Sequence, residues 1–360
     1  MHYFACRPNI YRKGENEMNL RTACLIARSS DPCRNLAVEK HLLDTLPEDT
    51  AILFLYRSGV AITVGRNQNP WYECNVESFL ESGGTIARRL TGGGTFYQDE
   101  GTLNYSLILP KAAFNTQRQL AMAAHAAAML GVPAQPGAGA SLAAAGRSFC
   151  LNAFYKAGSK ALHNGLMLID PSMEQMQRSL LPGGKQYRGQ ARPGADTLYT
   201  SLCQQAPGIT ADGVEEALCN AFGHFYGSTP VWLDETMLDE SGLQQTALSF
   251  ADPRWVYPEA LPYNFVVDER FPWGSITVLL LRENGMIRAA RIFSDAMEAA
   301  LFDMLCQSLT GCPYLIGAIS TRLRQRLDMI RDPRLLQIAG DVCKLICGRI
   351  RTLDRQGDGQ

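Results

Sequence analysis

Three consecutive glycines, Gly92, Gly93 and Gly94, follow Thr91 and stand close behind the basic pair Arg88-Arg89. With no Cβ atoms in the way, such a backbone can turn its N–H groups toward one point and let a ligand or another chain segment approach closely. The adjacent guanidinium groups suit the loop to a carboxylate or a phosphate. A glycine-rich hairpin turn beside a solvated basic pair has the same composition, and the glycines alone do not separate the two readings. The string is neither a P-loop, which needs G-x-x-x-x-G-K-[ST], nor the G-x-G-x-x-G of a dinucleotide site.

The chain around this loop has 360 residues, enough for two cores. Hydrophobic residues make up 46% and charged residues 19%, so a packed fold is expected rather than a disordered one. With 34 basic and 35 acidic residues the formal net charge is -1. No global field draws such a chain onto nucleic acid or an anionic membrane, and neither is expected as a partner. Apolar runs such as Ile276 to Leu281 and Met122 to Leu130 fall short of the ~20 residues of a spanning helix. Met1 to Asn19 has no continuous apolar stretch of the signal-peptide kind. It reads as a short tail, or Met18 is the true start; a cytoplasmic location is expected. Eleven cysteines at irregular spacing, without C-x-x-C, and five scattered histidines give no zinc pattern, so no metal ligands are assigned. Cys343 and Cys347, four apart on a helical segment, share a face and are read as packing residues.

Periodicity predicts an α+β chain. Asp31-Pro32 opens a helix running through Asn35 to Leu43. Ile52 to Tyr56 and Ala61 to Val64 are β-rich runs joined by Arg57-Ser58-Gly59, a hairpin or tight strand connection. Asn104 to Leu109 is a further strand, followed by a helix over Ala112 to Leu130 that Gly131 and Pro133 end. Ala134 to Gly146 reads as loop or weak strand, Gly165 to Ile169 as strand, and Leu181 to Ala195 as a long mobile loop. Thr210 caps an amphipathic helix with Val214, Leu218 and Phe222 on one face and Gly227 beyond its end. The pattern weakens between Ser228 and Pro262. A strand ending at Phe265-Val266-Val267 then precedes a hairpin of Ile276–Leu281 and Met286–Phe293 around Asn284-Gly285. Three helices, over 295–309, 314–327 and 335–351, close the chain. The resulting division is a tail (1–19), a large domain (20–235), a linker (236–261), a small α+β domain (262–352) and a tail (353–360).

The segment from Ala87 to Ser106, reading ARRLTGGGTFYQDEGTLNYS, resembles the acyl-pocket signature of the lipoate-protein ligases. That signature has Arg-Arg, Ser or Thr, three glycines, an aromatic, His-Asp and Gly-Asn-Leu-Asn-Phe-Ser. The departures are mild, with Gln98 where His is usual and Thr102 where Asn is frequent. Asn35 to Glu39 resembles the family's first helix, and Val64 to Asn75 resembles its G-R-x-Q-N-P-W-x-E-C-N segment. Leu162 to Leu168 resembles its aromatic-His-His-Gly strand, and Asp268 to Gly274 the D-E-R-F-x-W-G of its accessory domain.

That resemblance implies the mixed-sheet large domain shared with biotin ligases and a smaller α+β C-terminal domain. It implies a two-step reaction: lipoate (or octanoate) and ATP, with Mg2+, give an acyl-adenylate, whose carbonyl is then attacked by an acceptor lysine. The implied acceptors are lipoyl domains of 2-oxoacid dehydrogenase complexes or the glycine cleavage H protein. It also implies that Arg88, Arg89, Thr91, Gly92, Gly93, Gly94, Gln98 and Asp99 surround the acyl-adenylate, with Tyr97, His163 and Gly165 near the acyl chain.

The resemblance fails where the family places a catalytic lysine. Counting back from Gly165, that slot holds Ser148, and the family's Asn-Asp pair becomes Ala140-Ser141. Losing a charged donor at such a place costs about 3–4 kcal/mol of transition-state stabilisation. Three readings follow: an impaired ligase in which Arg147, Lys156 or Lys160 supplies the charge; an acyltransferase using Cys150 as nucleophile, with Arg147 stabilising its thiolate; or a non-catalytic protein that binds lipoate or a lipoyl domain. The loop from Lys185 to Arg192 is basic but does not match the family's adenylate-covering loop, and Leu198 to Leu202 fits loosely.

Overall fold

The computed structural model describes residues 20–180, 198–227, 229–257, 261–328 and 330–357. The expected tail over 1–19, the loop over 181–195 and the basic stretch from Lys185 to Arg192 lie outside them. By its contacts the chain divides into two units. The first comprises the chain to Val64, Pro70–Thr91 and Thr95–Tyr257; the second comprises Gly65–Asn69, Gly92–Gly94 and the chain from Pro258 on.

In the first unit the strands are β1 (Arg21–Ile26), β2 (Thr50–Tyr56), β3 (Ala61–Val64), β4 (Thr85–Arg88), β5 (Phe96–Gln98), β6 (Thr102–Pro110), β7 (Gln135–Pro136), β8 (Leu142–Ala144), β9 (Arg147–Ala157), β10 (Lys160–Leu168) and β11 (Val231–Trp232). Eight form one mixed sheet in the order β11-β1-β2-β6-β10-β9-β8-β7, and β4-β3-β5 form a small one. β2 and β6, like β6 and β10, run antiparallel, whereas β1 and β2 run parallel.

The runs expected as a hairpin, β2 and β3, belong to different sheets: β2 lies between β1 and β6, and β3 between β4 and β5. Both are buried along their whole length. Continuous apolar strands of this kind sit inside sheets covered on both faces, whereas a wet-faced hairpin alternates.

Four helices of this unit matter below: α1 (Pro32–Thr45), α2 (Thr116–Met129), α3 (Ala211–Tyr226) and α4 (Glu240–Ala251). Asp31 caps α1 by accepting from Cys33 N, with Pro32 in the first turn. Thr210 caps α3 by accepting from Gly213 N, and Gly227 at φ 81° ends it. Strand alternation divides the side chains of the large sheet. Leu53, Leu103, Tyr105, Leu107 and Met167 pack with Met122 of α2 and Leu218 and Phe222 of α3. Ile52, Phe54, Tyr56, Ile108 and Leu162 pack on the other face with Leu36, Val38 and Leu42 of α1. Residues 236–261, expected as a linker, include α4, whose Leu243 and Phe250 are buried in that second core, and the short α5 (Pro253–Val256).

The second unit has its own core around the antiparallel strands β12 (Phe265–Phe271), β13 (Gly274–Glu283) and β14 (Met286–Ser294). The turn between β13 and β14 has Asn284 at φ 50° and Gly285 at φ 71°, the left-handed pair of a tight hairpin. α6 (Ala299–Leu309), α7 (Ile316–Leu327) and α8 (Pro333–Gly357) cover the sheet through Phe302, Leu305, Ile319 and Val342. No helix among the described residues is long and apolar enough to cross a membrane.

Candidate functional site

Arg89 is the most deeply placed cation of the glycine-loop motif. Only 2% of it is exposed, its Nε donates to Thr91 Oγ1 at 2.8 Å and its Nη1 to the Thr63 carbonyl at 2.8 Å. The guanidinium also lies 4.0 Å above the Phe96 ring. Burial pulls its pKa down to about 9, opposed by the nearby Tyr56 and Glu39. Arg88 points elsewhere: its guanidinium donates to the carbonyls of Trp255 and Val256, while Trp255 Nε1 donates back to the Arg88 carbonyl at 2.8 Å. It holds α5 in place.

Beside Arg89, on the α1 face, lies a polar cluster that the motif did not announce. Glu39 of α1 is fully buried, and one of its carboxylate oxygens accepts from the Ser106 hydroxyl and, at 3.3 Å, from Asn164 Nδ2. Asn164 also donates to the Tyr56 hydroxyl at 3.1 Å. Burial pushes the Glu39 carboxyl up to about 7, against the pull of Ser106, Arg89 and Asn164. Its other oxygen has no hydrogen-bond partner among the described residues. Gln98 donates to Thr63 Oγ1 at 2.8 Å and accepts from Asn104 Nδ2 at 3.0 Å, which leaves Asn104 Oδ1 unpartnered. The signal was present in the sequence as polar positions within largely apolar strands, Asn104 and Ser106 spaced by two on β6 and Asn164 on β10. Neighbours on one strand face are two residues apart.

Tyr97 and Asp99 close this side. Tyr97 is 2% exposed, packs edge-on against Phe79, and has its hydroxyl pKa raised first by burial and then by Asp99. Asp99 accepts from Gly101 N at 3.0 Å and Ser172 N at 2.9 Å, which fixes the turn into β6.

Ser148, the second residue of β9, lies opposite Ala143. Leu142 and Ala144, on either side of Ala143, lie in the α2–α3 core, so alternation puts Ala143 and Ser148 on the α1 face. Ser148 Oγ is 2.9 Å from Ser141 Oγ, and the Ser148 carbonyl accepts from Thr200 N at 3.0 Å. None of the three cations considered as substitutes stands beside it on that face. Arg147 is opposite Ala144 and so leaves the strand toward the α2–α3 side. Lys156 lies over the Phe114 ring, 4.6 Å from its centre, and Lys160 donates to the Asp44 carbonyl at the end of α1.

A register shift between β8 and β9 at Leu142/Ala143 breaks the alternation after Ser148, and Phe149 and Cys150 both lie in the α2–α3 core, the face that His163 shares. Cys150 is fully buried, with the Tyr105 hydroxyl 3.7 Å and Asn152 Oδ1 3.6 Å from its sulfur, and burial pushes its thiol up to about 12. A group in that state is a packed thiol, not a thiolate. His163 Nε2 meets Asn152 Oδ1 at 2.9 Å, and burial draws the imidazole down to about 3, so it is neutral. Gly165 makes room for this cluster, because a Cβ there would lie 2.1 Å from Tyr105 Cζ. Asn152 Nδ2 donates to the Ala140 carbonyl at 2.6 Å, tying the cluster to the turn before β8. The sheet therefore separates Cys150 and His163 from Arg89, Thr91, Gln98 and Ser148, which share the α1 side.

Gly92–Gly94 group with the second unit. Gly93 N donates to the Ala296 carbonyl at 3.1 Å, and a Cβ on Gly92 would lie 2.7 Å from the Met297 carbonyl oxygen. A Cβ on Gly65 would lie 2.1 Å from the Gly93 carbonyl oxygen. Close backbone packing thus accounts for Gly92 and Gly65, and a left-handed φ of 80° for Gly93, whereas an added Cβ on Gly94 meets no described atom within 4 Å. Among the described residues no three His, Cys, Asp or Glu side chains gather as a metal site.

A sequence model described as "Lipoyl protein ligase A/B catalytic domain" matches residues 31–223, and one described as "Bacterial lipoate protein ligase C-terminus" matches residues 260–331. Among solved structures, the chain is similar to P. falciparum LipL1 in complex with lipoate, with a TM-score of 0.77, 22% identity, and coverage of 90% of this chain and 99% of that one. A bipartite lipoate protein ligase from Thermoplasma acidophilum, solved with its E2 lipoyl domain, gives a TM-score of 0.57 at 18% identity over 66% of this chain and 96% of that one. Lipoate-protein ligase A bound with ATP gives 0.55 at 18% identity, with the same coverage of 66% and 96%. At these identities the likeness establishes the fold: a mixed α+β large domain followed by a C-terminal domain.

Proposed function

The chain belongs to the family of lipoyl protein ligase A/B catalytic domains, and from that membership we propose that it binds lipoate or octanoate on the α1 side of its large sheet and runs the ligase reaction at a rate held down by Ser148. In that reaction a carboxylate oxygen attacks the α-phosphorus of ATP and pyrophosphate leaves. A lysine amine of a lipoyl acceptor domain then attacks the acyl carbonyl of the mixed anhydride, and AMP leaves. Acceptor domains of 2-oxoacid dehydrogenase complexes or the glycine cleavage H protein fit this reading, as does a cytoplasmic location. Magnesium would arrive with the nucleotide's phosphates, since it is commonly held by them and few protein carboxylates.

The residues that fit the acyl and carboxyl ends are Arg89, Thr91, Gln98 and the Glu39–Ser106–Asn164 cluster, which share one side of the sheet. The observation that carries the reading of slowed chemistry is the 2.9 Å contact between the hydroxyls of Ser141 and Ser148. Two neutral groups stand where the family resemblance places an aspartate and a lysine. Charge growing on the carboxyl and α-phosphoryl oxygens therefore meets no ammonium from these two residues, a loss of about 3–4 kcal/mol. The Cys150 route is disfavoured by its raised pKa and by the neutral groups around its sulfur. The same hydroxyl pair favours, as a second reading, a protein that binds the acyl group without transferring it.

Incubation with lipoate, ATP, magnesium and an apo lipoyl domain, followed by mass spectrometry of the acceptor, separates these readings. We expect slow lipoylation by the natural chain and a rate roughly 200- to 800-fold higher for Ser148→Lys. No modification by the natural chain with activity in the variant marks the binding-only reading. A variant no faster than an active natural chain removes Ser148 from the account.

A further inference from the structure

We propose that Cys343 and Cys347 form a two-coordinate site for a soft monovalent cation of the copper(I) kind, set in the seam between α7 and α8. The site lies wholly within the second unit and owes nothing to the acyl-binding reading above.

The two cysteines are four apart on α8 and so share one face of that helix. That face is turned to the core of the second unit, where Val342 and Ile346 are buried together with Ile319 of α7. Cys347 is 7% exposed, and Cys343 is half-buried against the same core. The Ser320 hydroxyl of α7 lies 3.5 Å from the Cys347 sulfur. One thiol is thus sheltered, and the other is open to an arriving ion.

Spacing then decides what the pair can hold. Residues four apart on a helix have Cβ atoms ~5–6 Å from each other, whereas a disulfide needs ~3.5–4.5 Å. A regular α8 therefore keeps the two sulfurs from joining directly. An ion between them removes the mismatch, because two metal–thiolate bonds of ~2.3 Å in line reach farther than one S–S bond of ~2.05 Å. Zinc asks for four ligands, and among the described residues no three His, Cys, Asp or Glu side chains gather. Copper(I) is satisfied by two thiolates in a line, and thiolate is a ligand it favours. Binding expels both thiol protons and leaves a copper–bis-thiolate unit with one negative charge. The Cys347 thiol is drawn down to about 6, first by the hydrogen bond of the Cys343 thiol and then by Ser320, Arg351 and Arg324, against burial. The same two guanidinium groups offset the charge of the complex.

The test is anaerobic competition between the full chain and bicinchoninate for copper(I), read from the absorbance of the copper–bicinchoninate complex. The natural chain should withdraw one equivalent of copper(I). Cys343→Ser and Cys347→Ser should each weaken that binding at least about 100-fold, the loss of one arm of a two-point grip. Cys203→Ser, which removes a half-buried thiol of the first unit, should leave it unchanged. X-ray absorption on the copper-loaded natural chain should show two sulfur neighbours, a result that needs no variant to fold. No withdrawal of copper(I), undiminished binding by either α8 variant, or three sulfur neighbours overturns the proposal. So does a Cys343–Cys347 disulfide in the peptide map after mild oxidation, because the sulfurs would then meet directly.

Discussion

At the scale of single residues the α1 face is governed by titratable groups held away from water. Glu39 rises from 4.5 to about 7 through burial, so folding favours its protonated form. Its contribution is complete below pH 4.5 and is lost as pH rises through 7, by up to about 3 kcal/mol. His163 has the opposite sign. Burial takes it from 6.5 to about 3, so its contribution is present above pH 6.5 and lost as pH falls toward 3. Thermal melts at graded pH should therefore show Glu39→Gln more stable than the natural chain above pH 7 and converging with it below pH 5, where both decline. Parallel curves for the two proteins across that range would show that Glu39 is ionised at no cost. Arg89, Thr91 and Gln98 were legible because they sit in one short motif. Glu39 was not, because its partners Ser106 and Asn164 come from strands 67 and 125 residues further along the chain.

At the scale of elements, the helices were the more readable part. Asp31 and Thr210 are caps, and Gly227 is a left-handed stop, as their residue types indicated. Strand partners were harder, because continuous apolar runs such as Thr50–Tyr56 and Ala61–Val64 do not say which sheet they enter. β9 escaped notice behind the glycine- and alanine-rich stretch before it, although it places both Ser148 and Cys150. One residue slip along a strand reverses a side chain's face, which is why a count back from Gly165 could name Ser148 but not the side of the sheet on which Cys150 and His163 lie. The β6–β10–β9 strip depends on Gly165, where a Cβ would strike the Tyr105 ring. Gly165→Ala should lower unfolding free energy by about 2–3 kcal/mol in urea titration. Adding Tyr105→Leu should recover part of that loss, and a Gly165→Ala chain of unchanged midpoint would refute the close approach.

At the scale of the whole molecule, a near-neutral chain argues against field-driven partners and for a local site, and the chemistry proposed for that site follows from the family to which the chain belongs. The large sheet separates two buried polar clusters. The α2–α3 face holds neutral Cys150, His163, Asn152 and Tyr105, a structural knot; the α1 face holds Arg89, Glu39 and the serine pair. The central claim is that exchanging lysine for Ser148 restrains the adenylation step while leaving the acyl site in place. Lipoate-dependent exchange of labelled pyrophosphate into ATP measures that step alone. The account predicts weak exchange by the natural chain and exchange at least about 100-fold faster in Ser148→Lys. Equal exchange rates in the two proteins, at any level above background, would contradict it.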